Sequence, residues 1–535
     1  FDVSPVNAPH YHCLASRLSR LGLGLRRRDS SRTVVDAMEL ERRKGYDSIS
    51  DEAAVLDPSP SSSAKNGSSN GHHRSSRRRP SVSKIRYISL GMLLGVLMAW
   101  SKPIFENLRW LSAYARRSTE RNPHHRGGAS RRHPRLHSWL DGVDGRKRRP
   151  KVSIGPRPYF LIDQLDGEAY PELKQTLEQC ARTIKTFQAS DFVLGHRGAA
   201  LEFPEHSDRG HNAASRLGAG IVECDINLTK DRQLICRHER CDLHLTTDVL
   251  LTPLAGRCSR PFRPATATNR ASARCCTTDF TLEEIQTQLC SRMSSSNSRA
   301  KTPRQYVSHN PSYRTDLYSH DCPHIQSHRD FMDVVDANGG SFVPEFKMLE
   351  NSFFTKEYTR RNFLDQVIAD YNATDPERVY PQSFDWEDLY YVAEQTDYGV
   401  NTFALDKNWL TTLTASDASL REYFQPLLTH GVTAIAPALF MLLEVGENET
   451  IVPSSYARIA RDMGLDIVPW TLERSDALAK GGGWYFSKLS RVLREDADIL
   501  KVLDVLYEDV GIKAIWTDWP SIATFYANCK GIDLR

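Results

Sequence analysis

From residue 190 onward, short β-rich apolar runs alternate with longer stretches whose apolar positions recur every three or four residues. The short runs are residues 192–194, 221–225, 342–345, 379–382, 402–405, 434–436, 467–470 and 514–517. Helical periodicity fills several of the gaps, at 363–371, 386–395 and 456–463. Such alternation predicts parallel strands joined by right-handed crossovers. Eight runs match a closed α/β fold of the TIM type, a (β/α)8 barrel, whose working residues collect at the C-terminal strand ends. An open doubly wound sheet is the alternative; no G-x-G-x-x-G follows the first run, which argues against a dinucleotide site. Residues 239–341 break the rhythm and are poorly apolar, so they read as an insertion after the second strand.

The first third of the chain shows neither period. Residues 59–71 are nearly all small or polar, and Arg77, Arg78 and Arg79 follow. Such a composition cannot bury enough apolar surface to offset chain entropy, so residues 1–84 are expected to be a disordered basic tail. From Tyr87 to Trp100 runs the one long apolar stretch, YISLGMLLGVLMAW. As a helix it spans about 21 Å, short against a bilayer core of about 30 Å. Arg86 and Lys102 flank it and can extend its reach by snorkelling. Residues 85–101 are therefore expected to anchor the chain in a membrane, with a buried soluble helix as the alternative. Residues 102–187 read as a basic linker and lead-in, and residues 188–535 as the barrel. The chain begins at Phe1 rather than Met, which fits an upstream or processed start.

Charge sharpens this division. Residues 1–150 hold 29 Lys+Arg and 13 Asp+Glu; the remainder holds 70 − 29 = 41 basic and 66 − 13 = 53 acidic residues. The acidic body argues against nucleic acid as its ligand, since phosphate neutralisation needs clustered cations. Ten of the 11 cysteines lie in the body. Six of them, Cys241, Cys258, Cys275, Cys276, Cys290 and Cys322, fall in the insertion, where disulfides would compensate for a small core. There is no paired C-x-x-C arrangement, which argues against structural zinc. Cys224 and Cys236 fall in predicted strands and read as small buried residues. Sequons at Asn372 and Asn448 fit a lumenal or extracellular body. A third, at Asn227, lies beside the strand end that carries the candidate chemistry and is not expected to be used.

The strand ends carry the candidate chemistry. His196 offers an acid or base near neutral pH, and Arg197 a planar fork for phosphate oxygens. Glu223 and Asp225 are two apart on a strand, so both face the mouth while Cys224 faces away. Two carboxylates so close repel unless a cation sits between them. Oxygen ligands suit Mg2+ or Ca2+, and a pair satisfied by Arg or backbone amides is the alternative. The run DRQLICRHE reads as a turn and short strand that delivers His238 to the same mouth. Glu345 and Lys347 again share a face. They are either a third metal ligand with a phosphate contact, or a simple ion pair. Trp470 is either an apolar wall for a substrate carbon skeleton or part of the core.

The order of these pieces resembles the glycerophosphodiester phosphodiesterase family. The matching text is LGHRGAALEFPEHS, GIVECDINLTKDRQLICRHERCDLHLTTDVL, SFVPEFK, VYPQSF, IAPALFML, DIVPWTLERS and IKAIWTDWP. It covers residues 190–527, and its RHERCDLHLTT-type segment looks most like the exported fungal and bacterial branch. The resemblance implies a divalent metal held by Glu223, Asp225 and Glu345, and catalytic roles for His196 and His238. It also implies phosphate contacts from Arg197 and Lys347, with sn-glycerol 3-phosphate and an alcohol as products. Many members have Asp directly after the second His; here Glu239 stands there. A phosphodiesterase acting on membrane lipids and a catalytically silent barrel are the rival readings.

Overall fold

A computed structural model describes residues 150–535, apart from residues 294, 312, 350–352 and 475. The tail, the run from Tyr87 to Trp100 and most of the linker lie outside the described residues. Among the described residues no helix is long and apolar enough to cross a membrane.

The strands are β1 Ser190–Gly195, β2 Ala219–Leu228, β3 Leu234–Cys236, β4 Arg260–Arg263, β5 Ser272–Arg274, β6 Ser341–Phe346, β7 Gln382–Ser383, β8 Phe403–Leu405, β9 Ala434–Ala436, β10 Leu443–Val445, β11 Ile451–Pro453, β12 Asp466–Ile467 and β13 Ile515–Thr517. The main sheet runs β12-β9-β8-β7-β6-β2-β1-β13, all parallel, with β3 added antiparallel to β2. Backbone bonds from Lys513 to Ile467, Trp516 to Pro469 and Leu472 to Trp516, at 2.9–3.1 Å, join the two ends of that order. The parallel strands thus form a TIM-type barrel, and the doubly wound alternative is excluded by this joining of the ends. Every predicted strand run contributes to it, although β7 and β12 are short, and Val379 meets Phe342 only as an isolated bridge.

Helices fill the crossovers, among them Asp208–Arg216, Arg360–Asp370, Trp386–Gln395 and Ser455–Asp462. Their N-termini are capped by Ser207, Thr359, Asp385 and Ser454, whose side chains accept the otherwise orphaned backbone N–H groups. The strand runs are aliphatic or aromatic because their side chains meet helices outside and one another inside. Phe192, Phe342, Phe346 and Trp516 are fully buried in this core. Two helices, Arg157–Gln164 and Pro171–Thr183, precede the 188 boundary and pack on the last helix, Pro520–Lys530. Cys180 is bonded to Cys529 across that contact.

The insertion between β3 and β6 has its own small core around Val249, Phe280 and Ile285. Disulfides Cys241–Cys276, Cys258–Cys275 and Cys290–Cys322 hold it. It docks on the loop after β1: the Arg314 guanidinium donates to the Ala200 carbonyl (2.9 Å), and Tyr318 stacks on Phe203 (4.6 Å). Cys224 and Cys236 are a correction. They are buried, but they are bonded to each other. The antiparallel pairing of β3 on β2 sets Cys236 opposite Ile226, within disulfide reach of Cys224.

Candidate active site

The first strand delivers its chemistry through a tight loop. His196 follows β1 directly, and its backbone N–H donates to the Thr517 carbonyl of β13. Gly198 then turns with φ +93°, where a Cβ would meet the Gly210 backbone at 2.6 Å. Only glycine fits so close an approach. The His196 Nδ1 lies 3.0 Å from Asp518 Oδ2, and its Nε2 lies 3.8 Å from Glu223 Oε2. Asp518 also accepts from Thr471 Oγ1 at 3.0 Å and from Arg474 Nη1 at 2.8 Å. Burial works against the Asp518 anion, yet His196 and Arg474 hold its carboxyl down to about 2.

Strands β2 and β6 run in register, with Asp225 opposite Glu345. Period-two alternation therefore puts Glu223, Asp225 and Glu345 on one face. Their oxygens lie within 4.8 Å of one another, and all three residues are buried. Burial pushes Glu223 up to about 7, with the Asp225 charge adding to it. Burial raises Glu345 well above the carboxylate range, although Lys347, with Nζ 2.8 Å from Glu345 Oε1, opposes the shift. Three buried carboxylates forced out of their ordinary range, all offering oxygen, fit a hard divalent cation. The triad is a candidate metal site.

Hydrogen bonds aim these carboxylates. The Arg197 backbone N–H donates to Glu223 Oε2 (3.0 Å) and Gln382 Nε2 to Glu223 Oε1 (2.6 Å). Arg197 places Nε 3.5 Å from Asp225 Oδ2 and Nη1 3.5 Å from Glu205 Oε2. Arg474 bridges Glu205, at 3.1 Å, and Asp518. Burial opposes the Glu205 anion, but Arg197 and Arg474 hold it well below its usual range.

His238 stands where β3 leaves the sheet. The Arg237 backbone N–H donates to the Asp225 carbonyl (2.8 Å), and Asn227 Nδ2 donates to the Arg237 carbonyl (2.7 Å). The buried Asn227 amide thus has a structural task, whereas Asn372 and Asn448 are exposed. Burial, with Arg197 and Lys347 nearby, holds the His238 ring well below its ordinary value. Glu239 Oε1 is 3.6 Å from His238 Nδ1. Trp470 is buried among Phe384, Trp484 and Tyr485, and its indole N–H donates to the Ala436 carbonyl.

The eight residues singled out in the sequence thus lie at the C-terminal ends of five strands: His196, Arg197, Glu223, Asp225, His238, Glu345, Lys347 and Trp470. Sequence reasoning gave no part to Glu205, His206, Gln382, Arg474 and Asp518. Asp518 was visible as a strand-end acid in IWTDWP, and Glu205 and His206 within PEHS. Their tasks depend on partners up to 322 residues away, as with His196 and Asp518.

A parallel barrel with a buried carboxylate triad and two histidines at its mouth defines a class suited to phosphate-ester chemistry. The chain belongs to the glycerophosphoryl diester phosphodiesterase family, a family of phosphoric diester hydrolases, whose model matches residues 196–521. Over 240 residues it is 36% identical to an extracellular protein of Arthroderma benhamiae, covering 44% of this chain and 97% of that one. It is 26% identical over 368 residues to the glycerophosphodiester phosphodiesterase GDPD6 of Arabidopsis thaliana, covering 65% and 89%. Among solved structures, a putative glycerophosphoryl diester phosphodiesterase from Silicibacter pomeroyi matches with 17% identity and a TM-score of 0.42, covering 65% and 95%.

Proposed function

We propose that this chain hydrolyses glycerophosphodiesters to sn-glycerol 3-phosphate and an alcohol, with Mg2+ or Ca2+ held by Glu223, Asp225 and Glu345. The observation that carries this reading is the meeting of that buried triad with His196, His238, Arg197 and Lys347 at one end of the barrel. A bound cation would neutralise a phosphodiester oxygen and acidify a nearby hydroxyl. Arg197 and Lys347 stabilise the charge that builds on phosphorus. Asp518 sits on His196 Nδ1 and orients the ring, with Nε2 on the side of Glu223. His196 therefore suits delivery of a proton to the leaving alkoxide, and His238 takes the proton of the nucleophile. A bond forms from phosphorus to water, or first to the substrate's own glycerol hydroxyl, giving a cyclic diester that water then opens. The bond to the alcohol oxygen breaks, and the alcohol leaves protonated. Trp470 and its aromatic neighbours border the carbon skeleton.

The extracellular relative, the five disulfides and the exposed Asn372 and Asn448 sequons support a lumenal or extracellular body. The run from Tyr87 to Trp100 would tether it to a membrane. Purified protein given glycerophosphocholine should release sn-glycerol 3-phosphate, lose that activity in EDTA and regain it with Mg2+ or Ca2+. Full turnover in chelated protein would refute the cation reading. Cleavage of lysophosphatidylcholine but not glycerophosphocholine would move the substrate to membrane lipids.

A further inference from the structure

The loop that follows β1 does more than carry His196. Its backbone leaves the strand with Arg197 at φ 57° and re-enters a helix after His206 at φ 52°. Both are left-handed positions that side chains other than glycine seldom adopt, and such positions persist only where the surroundings enforce them. Here the enforcement is visible. The His206 N–H donates to the Arg197 carbonyl at 3.0 Å. The next residue, Ser207, donates to the Pro204 carbonyl (2.6 Å) and caps the helix Asp208–Arg216 by accepting from Gly210 N.

This strained corner turns the His206 ring inward, where it is fully buried. Its Nε2 lies 2.7 Å from Asp225 Oδ2, a full hydrogen bond to one oxygen of a triad carboxylate. Arg197 Nε approaches the same oxygen at 3.5 Å. Oδ2 is therefore engaged by the protein at the edge of the triad. The ring itself is held from behind. It packs edge-on against His211, which bonds Gln326 and packs on Phe331.

We infer that His206 is a positioning residue for the cation site, holding the Asp225 carboxylate in a fixed orientation within the triad. The inference rests on the cation reading given above. Outer-shell partners of this kind typically contribute 10–100-fold to metal affinity, because a freely rotating carboxylate must be ordered when the ion binds. The bond of His206 to the triad is the one to Asp225. Its removal should act through Asp225 alone.

The test is cation binding to the full chain, measured by calorimetry with Ca2+ and with Mn2+ as a probe, alongside the cation concentration that half-saturates activity. His206→Phe keeps the ring and removes the donor. It should weaken binding by about 10–100-fold and raise the half-saturating concentration by the same factor. His206→Gln, which retains an N–H donor, should recover part of the loss, as a merely space-filling residue would not allow. In the Asp225→Asn background, His206→Phe should have little further effect. If His206→Phe does not fold, the imidazole 15N signals of the wild type decide: they should move on cation addition, and unmoved signals overturn the inference. Wild-type protein that binds no cation overturns both this inference and the cation reading. Wild-type binding matched by His206→Phe overturns the inference alone.

Discussion

The barrel buries Phe192, Phe342, Phe346, Phe363 and Trp516 in one continuous core, whereas the insertion between β3 and β6 gathers a small cluster around Val249, Phe280 and Ile285. The insertion in turn carries three of the five disulfides among the described residues. Within one chain, apolar burial does the holding where crossovers stack helices on strands, and covalent links do it where the sequence is polar. Chemistry follows the same division. The triad and both histidines stand on barrel strands or at their exits, while the insertion approaches the mouth through Arg314, Thr315 and Tyr318. Rigid strands suit groups that must be placed within fractions of an ångström.

The comparison is broken most severely at the barrel's mouth. His196→Ala and His238→Ala should each lower kcat by about 10²–10⁴-fold without unfolding the protein. The double variant should lose far less than the product of the two. A nitrophenyl ester, which needs little acid help, should rescue the His196 variant and not the His238 variant. Steady-state kinetics beside circular dichroism checks this.

Next come the cores. Phe342→Ala should cost the barrel about 3–5 kcal/mol in urea unfolding, because rigid surroundings leave a cavity. Replacing Cys258 and Cys275 by serine should cost the insertion about 3 kcal/mol, the loop-closure value for a link of this span. The two losses should separate by region. In limited proteolysis the disulfide variant should be cut first between residues 240 and 326, with the barrel fragments still folded.

Acid and base should then act in opposite directions on one carboxyl in each region. Burial pushes Glu473, at the barrel mouth, from 4.5 up to about 8. The folded state thus holds a proton that the unfolded state releases between those values. Glu473 supports the fold below pH 4.5, and that support is lost as pH rises to about 8. The loss is at most about 1.4 kcal/mol per pH unit. Glu473→Gln should therefore gain stability relative to wild type between pH 5 and pH 8. In the insertion, Glu284 is held down to about 2 by its bond to Arg257. Its contribution is present above 4.5 and fades as pH falls toward 2, so any stability difference between wild type and Glu284→Gln should shrink over that range in acid unfolding.

The smallest effect belongs to a cap. Thr281 accepts from Glu284 N at the start of the helix Leu282–Gln288. Thr281→Ala should cost about 1 kcal/mol, read as a small fall in Tm.

Much of the barrel was legible because its strands are uniform. A run such as Phe-Val-Pro-Glu buries both faces, and the helices between runs keep a 3.6-residue period. The triad was legible for a simpler reason, since i and i+2 must share a face on any strand. The disulfide Cys224–Cys236 was not, because it depends on β3 folding back antiparallel beside β2, a register that neither segment displays alone. Nor was the partnership of His196 with Asp518, which exists only once the first and last strands of the barrel are neighbours. Residues 157–183 read as lead-in because they are largely polar and precede the first strand run. Their few apolar positions, Leu161, Ile162, Leu173 and Leu177, are nonetheless buried in the main core.

The bond between Cys180 and Cys529 closes 349 residues of sequence, nearly the whole described body, into a covalent ring. A ring has no ends to lose. A protease that cuts once anywhere between those two cysteines, including within the insertion, opens the ring without releasing a piece. The cut protein should run as one band until a reductant is added, and then as two. The strands on either side of a cut also stay at high effective concentration, so refolding remains an event within one molecule. Against proteases, such a tie converts a severing cut into a change of connectivity.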